Sequence, residues 1–369
     1  MRRALVVVLV LAAVAAAIAV ELVRRSGSSN VHTVPAGIAS DCSEPVDRAV
    51  NAWLAGLPSN ATARFRKGGC YAQDGTLLLR DRRGLTVDGQ GSTFKAVTPG
   101  DDNRANWRIS GGRDVHLRNM TIRGVGMPAP RGQSGGGNSH QHGVAFDAVT
   151  GASLTDARIL DVAGDGVEAE PDFTRNPGAD YGDLPPARSI HVARVRIDGA
   201  GRHGVALTSV DGFLLQDSYI GNVYNDGVDI EIDEYRTKTR NITIERNRFG
   251  PVYFAVLQND PGVAPDNQNI VFRNNVMTAV PDTCFAPVNV GTKGFRKTGY
   301  SVTGNRLLTR GDGMSFIDVE GQVTGNTLTY KGTGGCNNAN WTPPYSVPVR
   351  QADSSLLVAR NQVSGFPGS

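Results

Sequence analysis

The sequence is poor in the features that define several protein classes. Among 369 residues there are only four cysteines, and no two form a Cys-x-x-Cys pair, so no zinc-finger template is present. Lysine and arginine (38) nearly balance aspartate and glutamate (35), which gives no reason to expect nucleic acid as a partner. Amphipathic helical runs between strand-like segments are lacking, which excludes repeated βαβ units. The 45 glycines follow no three-residue period, which excludes collagen.

Long hydrophobic runs are also scarce, and the one present lies at the N-terminus. Met1-Arg2-Arg3 precedes the uncharged stretch 4–20. Residues 1–25 are therefore predicted to be either a signal peptide or an N-terminal membrane anchor through residues 4–20. Both alternatives place the remaining chain outside the cytoplasm, secreted or anchored in the cell envelope, because the two arginines stay on the cytoplasmic side. Residues 26–40 are predicted to be a flexible linker, and 41–369 the folded domain.

The four cysteines suit an oxidising compartment. Three pairings are open from sequence. The simplest joins Cys42 to Cys70 and Cys284 to Cys336, because each bridge then closes one end of the chain.

A short pattern recurs along the chain. Two apolar residues at i and i+2 are followed by a small or amide residue at i+5 and an apolar one at i+7. The alternation is typical of a strand with one buried face, and the three-residue step indicates a corner before a second strand. The repeats begin at Val115, Ala152, Ile190, Phe213, Ile242, Ile270, Tyr300, Gly321 and Leu356.

These repeats predict an all-β fold, a single-stranded right-handed parallel β-helix (a solenoid), with one rung per repeat. The i+5 position supports the stacking, because five successive repeats carry asparagine there. Their amides are expected to form a structural ladder. The asparagines are Asn247, Asn275, Asn305, Asn326 and Asn361.

A second column comes from a phrase of one polar residue, glycine and an apolar residue. Asp165, His203 and Asp226 each begin such a phrase, and His142 begins a further copy. The glycine is expected to supply unusual backbone angles at a tight corner. The apolar residue lies fifteen positions after four repeat starts, which predicts one buried column of Val167, Val205, Val228 and Phe285.

An N-terminal capping helix is predicted before the first rungs. Ser43 is a suitable N-cap and Pro45 suits the first turn. Apolar residues then recur at helical spacing from Val46 to Leu57. A solenoid needs such a cover for its open end.

The helix, Cys70-Tyr71, the segment 77–79, the segment 84–89 and the rungs that follow resemble the pectin-lyase-like superfamily of right-handed parallel β-helix proteins. The resemblance covers roughly residues 42–365. It implies the fold, whereas the superfamily includes polysaccharide lyases, glycoside hydrolases, epimerases and non-catalytic adhesins. A polysaccharide is the partner that it implies.

The strand after the glycine corner is the candidate for chemistry. A filled solenoid leaves no internal cavity, so a site must lie on an outer face, and the longest loops flank this strand. Counting outward predicts exposed acidic residues on the first and third of three successive rungs, with two aspartates and a histidine stacked at the corner. The candidate catalytic residues are Asp229, Glu231, Glu168, Asp226, Asp165 and His203.

Glycoside cleavage needs one carboxylic acid that protonates the leaving oxygen and one carboxylate that activates water or attacks. Glu168 and Asp229, two rungs apart, are expected about 9.6 Å apart, and residues i and i+2 about 6.7 Å apart. Both separations favour an inverting glycoside hydrolase. The candidate substrate-binding residues are Glu170, Tyr224, Tyr235, Arg236, Tyr181 and Arg202.

Three alternatives stay open. The same oxygens could bind calcium through Glu170, Asp229, Glu231 and Asp233, although hydrolysis requires no cofactor. A calcium-assisted polysaccharide lyase or epimerase would use an arginine or lysine base. A non-catalytic glycan-binding or envelope β-helix protein would need only the aromatic loops.

The segment 225–229 resembles the Asn-Thr-Asp-Gly-x-Asp motif of the polygalacturonases, which implies catalytic roles for Asp226 and Asp229. The threonine of the motif is missing. The Asp-Asp pair that the polygalacturonases carry one rung later is also absent from 253–259.

Overall fold

The computed structural model describes residues 30–101, 103–126, 139–175, 178–231, 239–259, 268–332 and 347–366. Within these ranges the chain winds into a coil whose strands all pair in parallel with the strands one turn before and after. Three strand segments form each turn, so the coil has three faces, named A, B and C in the order in which most turns pass through them. The predicted parallel β-helix is confirmed.

Face A contains the first strand segment of each turn. Its apolar side chains at i and i+2 point inward and stack in register, for example Ile190 on Phe213 and Phe213 on Ile242. Its strands are β1 (Val31–Thr33), β3 (Thr62–Arg64), the first parts of β6 (Thr86–Ala96), β8 (His116–Arg123) and β10 (Ser153–Val162), then β12 (Ala187–Ala193), β15 (Val210–Gln216), β18 (Arg240–Glu245), β21 (Gln268–Arg273), β24 (Lys297–Thr303), β27 (Val319–Thr324) and β30 (Ser355–Ala359).

Face B follows a corner of three residues. Its strands are β2 (Asp41–Pro45), β4 (Cys70–Gln73), the second parts of β6, β8 and β10, then β13 (Arg196–Ala200), β16 (Tyr219–Val223), β19 (Arg248–Phe249), β22 (Val276–Met277), β25 (Arg306–Thr309), β28 (Thr327–Tyr330) and β31 (Gln362–Ser364).

Face C is a separate ten-stranded parallel sheet. Its strands are β5 (Leu77–Arg80), β7 (Trp107–Ser110), β9 (Val144–Asp147), β11 (Val167–Glu170), β14 (Val205–Leu207), β17 (Val228–Asp229), β20 (Leu257–Asn259), β23 (Val288–Val290), β26 (Met314–Ile317) and β29 (Arg350–Ala352).

The asparagine ladder lies at the corner between faces A and B, as predicted. The side-chain amide of Asn247 donates to Oδ1 of Asn275 at 3.1 Å, and Asn275 donates to Oδ1 of Asn305 at 3.1 Å. Each amide also donates to a backbone carbonyl one turn earlier, as Asn275 does to Ile244 at 2.9 Å. The residue just before the i+5 position of each repeat has positive φ, and this conformation makes the sharp corner. These residues are Asn119, Asp156, Arg194, Asp217, Arg246, Asn274, Gly304, Gly325 and Arg360.

The interior is filled by side chains from all three faces. Aliphatic columns dominate most turns, and an aromatic group fills the N-terminal end, where Phe94 packs edge-on against Trp107 with ring centroids 5.0 Å apart. Trp107 is fully buried. Because the coil is packed solid, any chemistry must occur on its outer surface.

Helix α1 (Asp47–Ala55) covers the N-terminal end of the coil. It buries Val50 and Leu54 completely, and each contributes about 1.5–3 kcal/mol of hydrophobic stabilisation. The Asn51 side chain accepts a hydrogen bond from the Leu78 backbone at 2.9 Å, which ties the helix to β5. The predicted cap was wrong in detail, because Ser43 and Pro45 belong to strand β2 and Val46 occupies the N-cap position.

The linker prediction for 26–40 was wrong for its described part. Val31–Thr33 forms β1, which pairs with β3, and Val34 and Ile38 are buried in the core. Both side chains belong to the hydrophobic core, so the coil begins before residue 41.

The glycine corner before face C has a different cause from the one expected. Neither Gly166 nor Gly204 has a positive φ. A Cβ added to Gly166 would lie 2.6 Å from a carbonyl oxygen of the next turn, and one added to Gly204 would lie 2.5 Å from such an oxygen. Glycine is therefore required by close approach of adjacent turns. Phe285 is not in the buried column. Val288 takes that position between Leu257 and Met314, because the loop before it is longer.

Cys42 and Cys70 form a disulfide between β2 and β4, as predicted. Cys284 is also disulfide-bonded, and its expected partner Cys336 lies outside the described residues. The predicted leader (1–25) lies outside them as well. Within the described ranges, no helix has the length and hydrophobicity needed to span a membrane.

Candidate functional site

The outward side of face C carries an alternating pattern over four consecutive turns. At the corner before the strand, histidine and aspartate alternate as His142, Asp165, His203 and Asp226. Three residues later, on the outward side, turns that begin with histidine have alanine and turns that begin with aspartate have a carboxylate. Ala145, Glu168, Ala206 and Asp229 pair directly in that order. The result is the same His–Asp–carboxylate group, formed twice.

The first group is centred on His142. Its Nδ1 lies 3.1 Å from Oδ2 of Asp165, and its Nε2 lies 2.7 Å from Oε2 of Glu168. Burial disfavours the charged ring, but the two carboxylates outweigh burial and raise the pKa of His142 to about 10. At neutral pH this histidine is therefore an imidazolium held between two acids.

The second group is centred on His203. Its Nδ1 lies 3.4 Å from Oδ2 of Asp226, and its Nε2 lies 3.4 Å from Oδ2 of Asp229. The same Nε2 also lies 3.3 Å from Oε1 of Glu231, two residues farther along the chain. Despite burial, these acids raise the pKa of His203 well above its ordinary value. One imidazole therefore joins Asp229 and Glu231.

Arg202 connects the two groups. Its guanidinium lies 3.2 Å from Oδ2 of Asp165 and 2.7 Å from Oε1 of Glu231. The attraction of Asp165 exceeds the effect of burial and, with Glu231, raises the pKa of Arg202. The backbone N–H of His203 donates to Oδ1 of Asp165 at 2.8 Å. Asp165 thus anchors both Arg202 and His203, whose side chains contact Glu231.

A third cluster adjoins the first group. Arg108 on β7 contacts Asp147 at 2.5 Å and Glu170 at 3.8 Å. Burial raises the pKa of Asp147 to about 7 against the lowering effect of Arg108. Burial and the neighbouring Glu168 raise the pKa of Glu170 well above its ordinary value.

The expectation of exposed carboxylates was wrong for most of the cluster. Side chains of opposite charge stand on turns about 4.8 Å apart, so they pack against one another and exclude water. Asp165 is completely buried, and Glu168, His203 and Asp226 are nearly so. The more accessible side chains are Asp229 at 11%, Arg202 at 16% and Glu231 at 17% exposure.

Asp229 and Glu231 have opposite pKa shifts although they share one histidine. Burial and the neighbouring charge of Glu231 raise the pKa of Asp229 well above its ordinary value, despite the imidazolium. Burial acts in the same direction on Glu231, but the hydrogen bond and charge of His203, with Arg202, lower the pKa of Glu231. Asp229 is therefore the carboxyl group of the pair that keeps its proton to the higher pH.

Two sets of donors could hold a metal ion, namely the His142 group and the Asp226, Asp229 and His203 group, whose ligand atoms lie within 4.8 Å of one another. In both, the imidazole contacts its two acids through different ring nitrogens, and Nδ1 also accepts a backbone N–H, from Asp165 at 3.2 Å in one and from Asp226 at 3.4 Å in the other. Calcium prefers oxygen ligands alone. Of the predicted calcium set, Asp229 and Glu231 meet at His203, Glu170 contacts Arg108, and Asp233 lies outside the described residues.

The predicted substrate-binding residues divide among several places. Glu170 and Arg202 belong to the face C clusters. Tyr224 lines a groove on face B. Tyr181 begins a single 3-10 turn, Tyr181–Asp183, in the loop after β11. Tyr235 and Arg236 lie outside the described residues.

His142, Arg108 and Asp147 were not among the predicted site residues. For His142 the signal was present, because it begins the same Gly-Val phrase as Asp165, His203 and Asp226, in alternation with them. Arg108 and Asp147 had no such signal. Their contact depends on which turns stack, and the intervening loops differ in length.

No protein-family model and no curated protein matches this sequence. Solved structures do match its fold. PfbA, a surface protein and adhesin of Streptococcus pneumoniae, superposes with a TM-score of 0.58 at 12% identity, over 90% of this chain and 97% of its own. Endo-xylogalacturonan hydrolase from Aspergillus tubingensis gives 0.55 at 12% identity, over 90% and 93%. DFA-IIIase from Arthrobacter chlorophenolicus gives 0.58 at 12% identity, over 91% and 94%.

These matches agree with the parallel coil. The chain has a right-handed parallel β-helix fold, like these solved structures.

Proposed function

We propose that this protein is an extracellular glycoside hydrolase that cleaves a polysaccharide on face C, with Asp229 and Glu231 as its acid and base. The observation that carries the proposal is the placement of both carboxyl groups against one ring nitrogen of His203, at 3.4 and 3.3 Å, where their pKa values shift in opposite directions. Environments that separate the pKa values of two neighbouring acids are the pattern found in acid–base pairs. Both side chains are also among the accessible members of the cluster.

Each residue then has a distinct role. Asp229, whose pKa is raised, donates its proton to the glycosidic oxygen as the bond breaks. Glu231, ionised through His203 and Arg202, takes a proton from the attacking water. His203, oriented by Asp226, stabilises the carboxylate that Asp229 becomes. Atoms balance, because water supplies the hydroxyl group to the sugar and Asp229 the proton to the leaving group.

The stereochemical outcome is proposed to be inversion. Oδ2 of Asp229 and Oε1 of Glu231 lie 3.4 and 3.3 Å from the same ring nitrogen, so these two oxygens are no more than about 6.7 Å apart, and inversion requires them to stay near that limit to leave room for a water. Glu168 and Asp229 lie two turns apart on the same side, about 9.6 Å between backbones, near the upper end of the range of about 6.5–9.5 Å for inversion. NMR of the first-formed product checks the anomeric configuration, and retention would overturn inversion while leaving hydrolysis intact.

A lyase would need an arginine or lysine able to lose a proton. Arg202 and Arg108 are each held by carboxylates that raise their pKa, so neither is suited to abstract a proton. A second candidate is a non-catalytic glycan-binding protein. The close ion pairing of the acids favours this second candidate, because acids with a purely structural role would form the same network of ion pairs.

The test combines two isosteric variants, Asp229→Asn and Glu231→Gln. Reducing-end release is measured against a panel of plant and bacterial wall glycans, with ultraviolet absorbance for unsaturated lyase products. Each variant is expected to lose about 10²–10⁴-fold in kcat. Activity should decrease when the pH is below the lowered pKa of Glu231 and when it is above the raised pKa of Asp229. EDTA should have no effect.

Asp114→Asn and Glu320→Gln serve as matched controls, because both acids are exposed near face A. Normal turnover by both cluster variants would show the assignment to be wrong. Glycan binding with no turnover by the unaltered protein would favour the binding protein instead.

A further inference from the structure

The outward columns of the coil differ in charge. The outward side of face C carries the acidic cluster, whereas one outward column of face B carries arginine on four of six successive turns. In that column Arg158 pairs with Arg196, Arg196 with Tyr219, and Tyr219 with Arg248. Val276 and Arg306 continue it. From Arg158 to Arg306 the column includes no acidic residue.

The arginines of this column are exposed and mostly free of acids. Arg158, Arg248 and Arg306 have no ion pair among the described residues. Arg196 contacts Asp198 and lies over the ring of Tyr219, 4.2 Å from its centroid. Adjacent turns are about 4.8 Å apart, so the free guanidinium groups lie along one line parallel to the coil axis. Such a line attracts a chain of negative charges.

Grooves run beside this line. One of about 570 Å³ is lined by groups that can bond hydroxyls as well as anions, namely Arg123, Arg158, Asp161, Asp198, Asn222 and Tyr224. A second, of about 620 Å³, shares Arg158 with the first. The two grooves therefore meet at an arginine of the column.

We infer that face B binds an acidic polysaccharide along the line of Arg158, Arg196, Arg248 and Arg306. Its carboxylate, sulfate or phosphate groups would pair with the guanidinium groups, which suit such anions because of their fixed donors. Its hydroxyls would bond Asp198 and Asn222 in the groove. This surface is separate from the acidic face C, and its binding does not depend on the proposed hydrolysis.

A polysaccharide fits better than the other polyanions. In the groove Arg123 is paired with Asp161, and Asp198 is paired with Arg196, so the groove lacks the continuous positive surface that the closely packed phosphates of duplex DNA require. A lipid headgroup layer would offer no partner for the hydroxyl-binding side chains of a concave groove. Sugar rings supply both the anions and the hydroxyls.

Binding is measured by affinity electrophoresis and calorimetry with polygalacturonate and dextran sulfate, with uncharged dextran as the reference. The triple variant Arg158→Gln, Arg248→Gln, Arg306→Gln is expected to bind at least tenfold more weakly. The matched control, Arg64→Gln, Arg83→Gln, Arg113→Gln, removes the same charge from exposed positions near face A and should bind normally. Added salt should weaken binding, because exposed charges are screened.

All measurements are repeated in the Asp229→Asn background, where binding should be unchanged. Three results would overturn the inference: no binding of either acidic polysaccharide, equal loss in the two triple variants, or binding of dextran at the same strength. Tighter binding of phosphatidylglycerol vesicles or duplex DNA, lost in the Arg158 triple variant, would also overturn it by assigning the surface to another class of partner. Circular dichroism is used to check that each variant is folded.

Discussion

Asp165 contacts both histidine-centred groups and the arginine that connects them. One of its oxygens contacts both His142 and Arg202, and the other accepts the backbone N–H of His203. Its side chain is completely buried, so it has no path to a substrate. The sequence predicted a catalytic role for Asp165, and the geometry instead supports the role of a positioning residue.

Replacing Asp165 by asparagine should therefore destabilise the protein. It removes the charge that compensates buried His142 and half-buried Arg202, and breaking a buried pair costs about 3–5 kcal/mol. Arg202 and the histidines outweigh burial and hold the pKa of Asp165 below its ordinary value. The stabilisation is then present above the ordinary pKa and is lost as the pH falls through the lowered pKa.

Denaturant unfolding at neutral and acidic pH measures this effect. The wild type and Asp165→Asn should differ at pH 7 and converge as Asp165 is protonated in strong acid. Asp114→Asn, at an exposed position, is the control. Equal stability of wild type and Asp165→Asn at pH 7 would contradict the anchoring role.

At the scale of the element, the corner between faces A and B is maintained by side-chain amides. Asn275 accepts the backbone N–H of Asn247 at 2.9 Å and donates to the carbonyl of Ile244. All of these groups are buried. The ladder thus satisfies backbone groups that strand pairing leaves open where the chain turns.

We expect Asn275→Ala to cost at least about 2 kcal/mol, because it leaves a buried N–H and a buried carbonyl without partners. Asn361→Ala, at the last and more exposed position of the ladder, should cost less. Chemical denaturation compares the two variants. A smaller effect at Asn275 than at Asn361 would show that the corner does not depend on the ladder.

At the scale of the whole molecule, the coil is a stack of turns that contact only their neighbours, so its ends determine its resistance to unravelling. The N-terminal end has α1, the aromatic group beneath it and the Cys42–Cys70 disulfide. The C-terminal end, by contrast, exposes Leu357 and Val358 on β30.

Removing the disulfide with Cys42→Ser and Cys70→Ser should loosen the first turns before the rest. The sequence separation of 28 residues corresponds to about 3–4 kcal/mol of loop entropy. Hydrogen exchange should show lost protection in β3 and β4 while β15 and β18 keep theirs. Uniform loss along the coil would indicate that the turns unfold as one unit.

The sequence by itself determined the coil, its period and most of its register. Alternation along a strand and the fixed step to Asn247 or Asn275 are local properties, so they survive changes in loop length. It also brought Glu168, His203 and Asp229 to one side of the coil. The prediction that Phe285 belongs to the buried column was wrong, because the loop before that strand contains additional residues that the local pattern does not reveal.

Only the tertiary structure decided which charges meet. The contacts of His142 with Glu168, Arg202 with Glu231 and Arg108 with Asp147 join residues from different turns. Whether two such side chains meet depends on the stacking of the turns and on the direction of each side chain. Neither is determined by the local spacing of residues in the sequence. The burial that separates the pKa values of Asp229 and Glu231 arises from the same packing, because water is excluded only once oppositely charged side chains of successive turns lie against one another.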